Sequence, residues 1–458
     1  MDKAKDLYIV ILAAGKGTRM HSRLPKVLQP LAHLPLLEHV INTALTLSPK
    51  KVVVVYGHGG DLVPSRLSHL PVSWVEQKEQ LGTGHAVQQA MPEVPLKANV
   101  LILYGDVPLT SSSTLTNLVH KLGETCSLAV LTAILDDPSG YGRIIRNSDG
   151  EVLYIIEHKD ANDEQRAVRE INTGILAADS SSMAAWLSSI SNNNVQGEYY
   201  LTDIIGLAVE SKVNVKTSHP ESLWEILGVN DKRQLADLER QYQLIQANTL
   251  LSLGVTLRDP SRLECRGEIQ VGKDVEIDVG VVLEGKVSIA DNVYIGPYCH
   301  ISDALIGEGA SIQSHTVIDK ANIGPGSIVG PFARIRPETV LVENCHIGNF
   351  VEIKKSTVGK GSKINHLSYI GDTEVGDKVN IGAGTITCNY DGANKYKTVI
   401  GDGAFIGSDT QLVAPVTIGA GATIGAGSTI TKDTAADKLT LSRSKQITID
   451  GWKRPEKK

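Results

Sequence analysis

Two different rhythms of apolar positions divide the chain. In the first half, short and fully apolar runs such as Tyr8-Ile9-Val10-Ile11-Leu12, Val52 to Val55 and Leu101 to Leu103 alternate with helix-like stretches. Such β-branched runs at that spacing predict buried strands of a parallel sheet flanked by helices. From Asn230 to Leu251 the period changes: Leu235, Leu238, Tyr242 and Ile245 are spaced three, four, three, with polar residues between them. This predicts an amphipathic helix of about 20 residues, about 30 Å long, acting as a linker packed on a neighbouring domain. Beyond it an aliphatic residue recurs every six positions, from Val271, Ile277 and Leu283 through Ile381 and, after a gap, from Ile400 to Ile430. A few units have five residues. So long a run is the hexapeptide repeat of a parallel β-helix, in which one aliphatic per short strand fills a narrow interior and small residues turn the corners. The expected divisions are 1–232, a linker helix 233–253, and 254–458 with a C-terminal tail.

Composition sharpens that division. Of the 43 glycines in 458 residues, 16 fall before residue 251 and 27 in the shorter remainder, while Phe, Trp and Tyr together number only 20. The charge of −6 argues against bulk nucleic-acid binding. No apolar run reaches the roughly 18 residues of a membrane span. The polar start Met1-Asp2-Lys3-Ala4-Lys5-Asp6 lacks the core of a signal peptide. Cysteines 126, 265, 299, 345 and 388 are odd in number and form no CxxC pair, so reduced thiols in a cytoplasmic protein are expected rather than a disulfide framework or zinc cage.

Ligands of open α/β sheets bind beyond the carboxyl ends of the strands. Gly15-Lys16-Gly17, Gly57-His58-Gly59-Gly60 and Tyr104-Gly105-Asp106 fall there. The first loop is neither a Walker A nor a dinucleotide fingerprint, since Met20 stands where a third glycine belongs. It serves equally as a tight turn or as an anion cradle with Lys16, Arg19 and Lys26 as cations. Asp106 reads as a helix cap or as a Mg²⁺ ligand, because a hard cation holding phosphates needs only one or two protein oxygens. In the repeat, Arg336 and Lys354 are both second residues of units three apart and so stack on successive coils about 4.8 Å apart, a cationic step suited to phosphate. His366, Ala383, Ser408 and Ala426 are third residues. If Thr387–Val399 is one unit with an insertion, they form a ladder of about 14 Å, a groove for an extended thin chain. Cys388 to Thr398 abandons the hexad and predicts a protruding loop. From the residues alone, His366 ranks level with His300, His315 and His346.

The string Leu12-Ala13-Ala14-Gly15-x-Gly17-Thr18-Arg19-Met20, followed by Leu24-Pro25-Lys26, resembles the signature of sugar-nucleotide pyrophosphorylases. With Gln77, Gly82-Thr83-Gly84-His85, Tyr104-Gly105-Asp106, Tyr141-Gly142-Arg143, Glu157-His158-Lys159, Asn172-Thr173-Gly174 and Gly228-Val229-Asn230, the chain resembles one bifunctional family. That family joins N-acetylglucosamine-1-phosphate uridylyltransferase to glucosamine-1-phosphate N-acetyltransferase. The resemblance implies an α/β Rossmann-like nucleotidyltransferase domain, a helical linker and a C-terminal left-handed parallel β-helix that assembles as a homotrimer. It implies acetylation of glucosamine 1-phosphate and then uridylyl transfer from UTP to N-acetylglucosamine 1-phosphate, for cell-wall precursors. Leu12, Ala13, Ala14, Gly15 and Lys26 would line the nucleotide and its phosphates. Gln77 and Gly82 would read uracil, and Thr83, Tyr104 and Gly105 would line the same cleft. Gly142, Glu157 and Asn172 would hold the sugar, Asp106 and Asn230 would ligate Mg²⁺, and Arg19 and Lys26 would neutralise charge. In the other half His366 would be the general base, Arg336, Lys354, Tyr369 and Asn380 would bind the amino-sugar phosphate, and Ala383, Asn389, Tyr390, Ser408, Ala426 and Arg443 would bind acetyl-CoA. Two other readings remain: a single-activity pyrophosphorylase whose β-helix only assembles or senses, and a non-enzymatic subunit that uses both folds for protein contacts.

Overall fold

The computed structural model describes residues 5–15, 17–123 and 126–457, so the expected cation Lys16 lies outside the described residues. Contacts divide the chain into two compact units, one ending at Tyr242 and the other beginning at Gln243.

At the centre of the first unit, strand Leu7–Ala13 pairs in parallel with Lys51–Tyr56 on one side and Asn99–Tyr104 on the other. Its residues alternate between two cores, Val10 and Leu12 facing one and Ile9 and Ile11 the other, which is why the run is apolar throughout. The chain leaves this strand first toward one side of the sheet and then toward the other, creating a switch point at its carboxyl end. The expected parallel sheet is present around the central strand and becomes mixed further along. Strand Glu170–Asp179 runs antiparallel to both Asn99–Tyr104 and Leu128–Ile134, and the hairpin Arg143–Arg146/Val152–Ile156 joins it. No crossover helix carries the chain back between Leu128–Ile134 and Glu170–Asp179, so it re-enters the sheet from the end at which it left.

Helix Lys232–Ser252 starts where Asp231 Oδ1 accepts from the amides of Arg233 and Gln234, both at 2.9 Å. It stops at Gly254, whose φ is 91°. The expected stripe is only half right. Leu235, Leu238 and Tyr242 pack in the first unit, but Ile245 is only half-buried and the buried residues of the second half are Gln243, Ala247 and Leu250. Gln243 is buried because it satisfies a whole peptide unit, accepting from the Cys265 amide at 2.7 Å and donating to the Cys265 carbonyl at 3.1 Å.

The second unit is a coil of short parallel strands, three per turn. Most strands align with one seventeen or eighteen residues later, as Ile335 with Ile353 and Ile353 with Ile370, and across the insertion the step lengthens to 25, as Val375 with Ile400. It opens earlier than the repeat suggests, at Thr256–Leu257, and closes at Leu439–Thr440. From Ile277 to Ile430 every residue of the six-residue series is at most 4 % exposed, whereas Val271 at its start is partly buried.

The corners differ from expectation. Gly280, Tyr298, His315, Phe332, Phe350, Leu367 and Gly384 form one corner column, all with φ between 48° and 77°. Large side chains are admitted because they point outward and stack on one another. Ring centroids lie 5.2 Å apart for Tyr298–His315, 4.8 Å for His315–Phe332 and 5.4 Å for Phe332–Phe350. Glycine is required mainly elsewhere, directly after the buried aliphatic. A Cβ on Gly324 would lie 1.7 Å from the Val342 oxygen, and one on Gly348 2.0 Å from the Asn365 oxygen. The next coil leaves no room for a side chain there.

Candidate active sites

In the first unit a cavity of about 360 Å³ opens beyond the carboxyl end of the central strand. Among its lining are Leu12, Ala13, Ala14 and Gly15 from the first loop, Gln77, Gly82 and Thr83, and Tyr104 with Asp106 and Lys26. The sequence-predicted nucleotide residues are thus brought together by four separate segments. Hydrogen bonds fix those segments. The Gly105 amide donates to the Leu12 carbonyl at 2.9 Å, the Gly84 amide to the Tyr199 carbonyl at 2.8 Å, and the Leu201 amide to Thr83 Oγ1 at 3.0 Å. At Gly82 (φ 115°) a Cβ would meet the Tyr199 oxygen at 2.5 Å, so only glycine fits. Gln77 is buried, and its Nε2 lies 3.1 Å from both the Gly82 oxygen and His85 Nδ1. Its backbone carbonyl accepts from Gln80 Nε2 at 3.2 Å, whereas its side-chain oxygen Oε1 has no hydrogen-bond partner among the described residues.

The predicted sugar residues also converge. The Asn172 amide donates to the Gly142 carbonyl at 2.8 Å, and a Cβ on Gly142 would stand 3.4 Å from Glu157 Oε1. Burial pushes the Glu157 carboxyl above its ordinary range, while a 3.2 Å hydrogen bond from Thr202 Oγ1 opposes that shift. Burial likewise raises the Tyr104 phenol. Gly174 (φ 87°) sits at a bulge of strand Glu170–Asp179 and lets the Tyr104 ring approach to 2.6 Å from where a Cβ would be. Arg19 is exposed in the short helix Thr18–Met20 and does not line the cavity.

Lys26 Nζ contacts Asp106 Oδ2 and lies 3.4 Å from Asn230 Oδ1. Two hard oxygens from distant segments therefore meet at one cationic position. That donor set suits a hard divalent cation that keeps waters and phosphate oxygens as its other ligands. Among the described residues there is no group of three or more His, Cys, Asp or Glu side chains able to hold a metal by themselves.

In the second unit the register places His366, Ala383, Ser408 and Ala426 in one column of four successive coils, as the count of six predicts. His366 is exposed, and its Nδ1 lies 3.0 Å from Asn349 Oδ1 on the preceding coil. Arg443 Nη1 donates to the Ala426 carbonyl at 2.9 Å, bringing the tail to the end of that column. Tyr369 and Asn380 are half-buried on strands of two different sheets of the coil, and Tyr390 is exposed on the loop with its hydroxyl 2.6 Å from the Gly392 carbonyl. The phosphate step needs correction. Arg336 and Lys354 do stack, but Arg336 is not unpaired: its Nη1 reaches Glu352 Oε1 at 2.7 Å. Lys395 stands beside Lys354, and its ammonium depresses the Lys354 pKa. Asp372 offsets both lysines and accepts from Asn389 Nδ2. All five cysteines are unpaired.

Comparison with known proteins gives three matching family models: the MobA-like NTP transferase domain over residues 9–159, the GMPPB C-terminal domain over 265–343, and six repeats of the bacterial transferase hexapeptide over 397–432. A protein of Methylococcus capsulatus named bifunctional protein GlmU is 58 % identical over 453 residues, 99 % of this chain and 98 % of that one. Proteins of the same name from Dechloromonas aromatica and Chromobacterium violaceum are 58 % identical over 98 % of this chain and 53 % identical over 99 % of it, in each case covering 99 % of the relative. The chain belongs to the bifunctional GlmU family. As a member of it, the chain is both a nucleotidyltransferase and an acetyltransferase, an N-acetylglucosamine-1-phosphate uridylyltransferase joined to a glucosamine-1-phosphate N-acetyltransferase. The single-activity and non-enzymatic readings fall with that membership.

Three residues that stand beside the predicted ones carry no sequence signal of their own: Asn349, Asp372 and Lys395. Lys395 lies in the stretch that breaks the hexad, where spacing says nothing about neighbours. Asn349 is found only by aligning coils, one register step before His366.

Proposed function

We propose that the cavity of the first unit takes UTP and N-acetylglucosamine 1-phosphate, and that the His366 column of the second takes acetyl-CoA and glucosamine 1-phosphate. The observation that carries the reading is the meeting of Lys26, Asp106 and Asn230 at the mouth of a strand-end cavity walled by Leu12 to Gly15. In the uridylyl step a phosphate oxygen of the sugar attacks the α-phosphorus of UTP, and the bond to the β-phosphate breaks, releasing pyrophosphate. Little proton transfer is needed, so positioning and charge neutralisation supply the catalysis. Lys26 and, from the exposed short helix Thr18–Met20, Arg19 offer the cations. The Gln77 carbonyl oxygen and the Gly82 backbone suit the uracil edge, and Glu157 and Asn172 suit sugar hydroxyls and the acetamido group. Mg²⁺, held by Asp106 and Asn230, would neutralise phosphate charge there.

In the acetyl step the amine of glucosamine 1-phosphate attacks the thioester carbonyl. The N–C bond forms, the C–S bond breaks, and the amine proton passes through His366 to the departing CoA sulfur. The Ala383 amide supports the developing oxyanion. Arg336, Lys354 and Lys395 take the phosphate, Tyr369, Asn380, Asn389 and Tyr390 the amino sugar and acetyl group, and Ser408, Ala426 and Arg443 the CoA arm. The exposure of His366, Tyr390, Ser408 and Arg443 on one chain supports a homotrimer in which neighbours cover the groove. Unpaired cysteines support a cytoplasmic setting, and no described helix is long and apolar enough to cross a membrane. The divisions 1–232, 233–253 and 254–458 remain the proposed functional boundaries.

The test is a one-pot reaction of the purified chain with glucosamine 1-phosphate, acetyl-CoA, UTP and Mg²⁺. UDP-N-acetylglucosamine is expected by mass spectrometry, and free CoA should precede pyrophosphate. UDP-glucosamine as the product, or pyrophosphate released before CoA, would refute the substrates and their order.

A further inference from the structure

Among the described residues, the one hydrogen-bond partner of the His366 ring is an uncharged side chain. Its Nδ1 lies 3.0 Å from Asn349 Oδ1, and its Nε2 has no partner among the described residues. The contact is a product of the coil register: Asn349 and His366 are paired residues of adjacent parallel strands, so their side chains leave the same face at the same height. At that height the following coil presents Ala383, which has no titratable group. The outward titratable groups of these strands, His346 and Lys363, stand three positions earlier and face each other. The pair is thus set apart from charge on its own face.

We propose that Asn349 is the positioning residue of the acetyl-transfer base. Its carbonyl oxygen holds the proton of His366 on Nδ1 and leaves the lone pair on Nε2, where it meets the substrate amine. The proposal rests on the reading of His366 as that base. The chemistry explains why an amide rather than a carboxylate stands there. Either would fix the ring and its tautomer. A carboxylate within hydrogen-bond reach would also favour the imidazolium and raise its pKa by about 1–3 units, leaving the base protonated at neutral pH. A neutral oxygen orients without charging. During the reaction the amine proton moves to Nε2 as the N–C bond forms, and then to the CoA sulfur as the C–S bond breaks; Nδ1–H stays on Asn349 throughout.

The test uses the full-length enzyme and pH–rate profiles of CoA release for Asn349→Leu, Asn349→Asp and His366→Gln, with pyrophosphate release as the folding control. Asn349→Leu should lower kcat about 10- to 100-fold with KM for glucosamine 1-phosphate within about threefold, since orientation of a general base contributes on that scale. Asn349→Asp should recover most of that loss at pH 9 but shift the acid limb of kcat/KM upward by about 1 unit or more. A structural role alone would give no such pH-dependent rescue. If both Asn349 variants kept wild-type rates and profiles while His366→Gln was inactive, the positioning role would be overturned and the base reading would stand. If His366→Gln retained CoA release, the base reading itself would fail.

Discussion

Gly174 tests whether the first-unit cavity is shaped as described. Its φ of 87° costs a residue with a side chain about 1 kcal/mol. A Cβ there would also lie 2.6 Å from Cε2 of Tyr104, a ring that walls the cavity on its other side. The ring has to move toward the nucleotide space, and overpacking of this kind costs about 1–3 kcal/mol. Gly174→Ala should therefore destabilise the first unit by about 2–4 kcal/mol, lowering its thermal midpoint by about 5–15 °C. The KM for UTP should rise at least tenfold, because the displaced ring intrudes on the site. Gly140→Ala is the control: φ is 84° there too, but nothing lies within 4 Å of the added Cβ, so only the backbone cost of about 1 kcal/mol remains. The assay is calorimetry together with pyrophosphate release, with CoA release as the internal reference. Equal behaviour of Gly174→Ala and Gly140→Ala would refute the Tyr104 contact as the reason for glycine.

Removing Lys395 should raise KM for glucosamine 1-phosphate about 10- to 100-fold, the worth of one charge-assisted hydrogen bond, while pyrophosphate release measured on the same sample stays unchanged. Gly324→Ala should cost the coil at least about 3 kcal/mol by denaturant unfolding, because the Cβ would lie 1.7 Å from a backbone oxygen that cannot yield; Gly309→Ala, with open space and φ 65°, should cost about 1 kcal/mol. Glu157→Gln should stabilise the unliganded protein at neutral pH and above. Burial raises the folded-state pKa of Glu157, so the carboxyl destabilises the fold as pH rises from its ordinary value of 4.5 through that raised value. The stability difference from wild type, followed by thermal melts, should vanish as pH falls toward 4.5, and KM for the sugar phosphate should rise.

The coil was legible because its period is rigid: one buried aliphatic per strand makes Ile335, Ile353 and Ile370 readable as one stack, and the same count aligns His366 with Ala383, Ser408 and Ala426. The nucleotide loops were legible through their motif strings rather than through spacing. What escaped has a common cause, since it depends on contacts between segments without a shared period. Strand Glu170–Asp179 turns antiparallel because of a hairpin inserted before it. Lys395 reaches Lys354 from an irregular loop. The large corner residues escape because the repeat shows only that something turns each corner, whereas Phe332 and Phe350 accept a left-handed backbone there and stack on each other.

The central claim is that two independent chemistries occupy one chain, and the direct measurement is dual release from single preparations of His366→Ala and Asp106→Ala. His366→Ala should lose CoA release from acetyl-CoA and glucosamine 1-phosphate while keeping pyrophosphate release from UTP and N-acetylglucosamine 1-phosphate. Asp106→Ala should do the reverse. Loss of both activities in either folded variant would contradict the assignment of two separate sites.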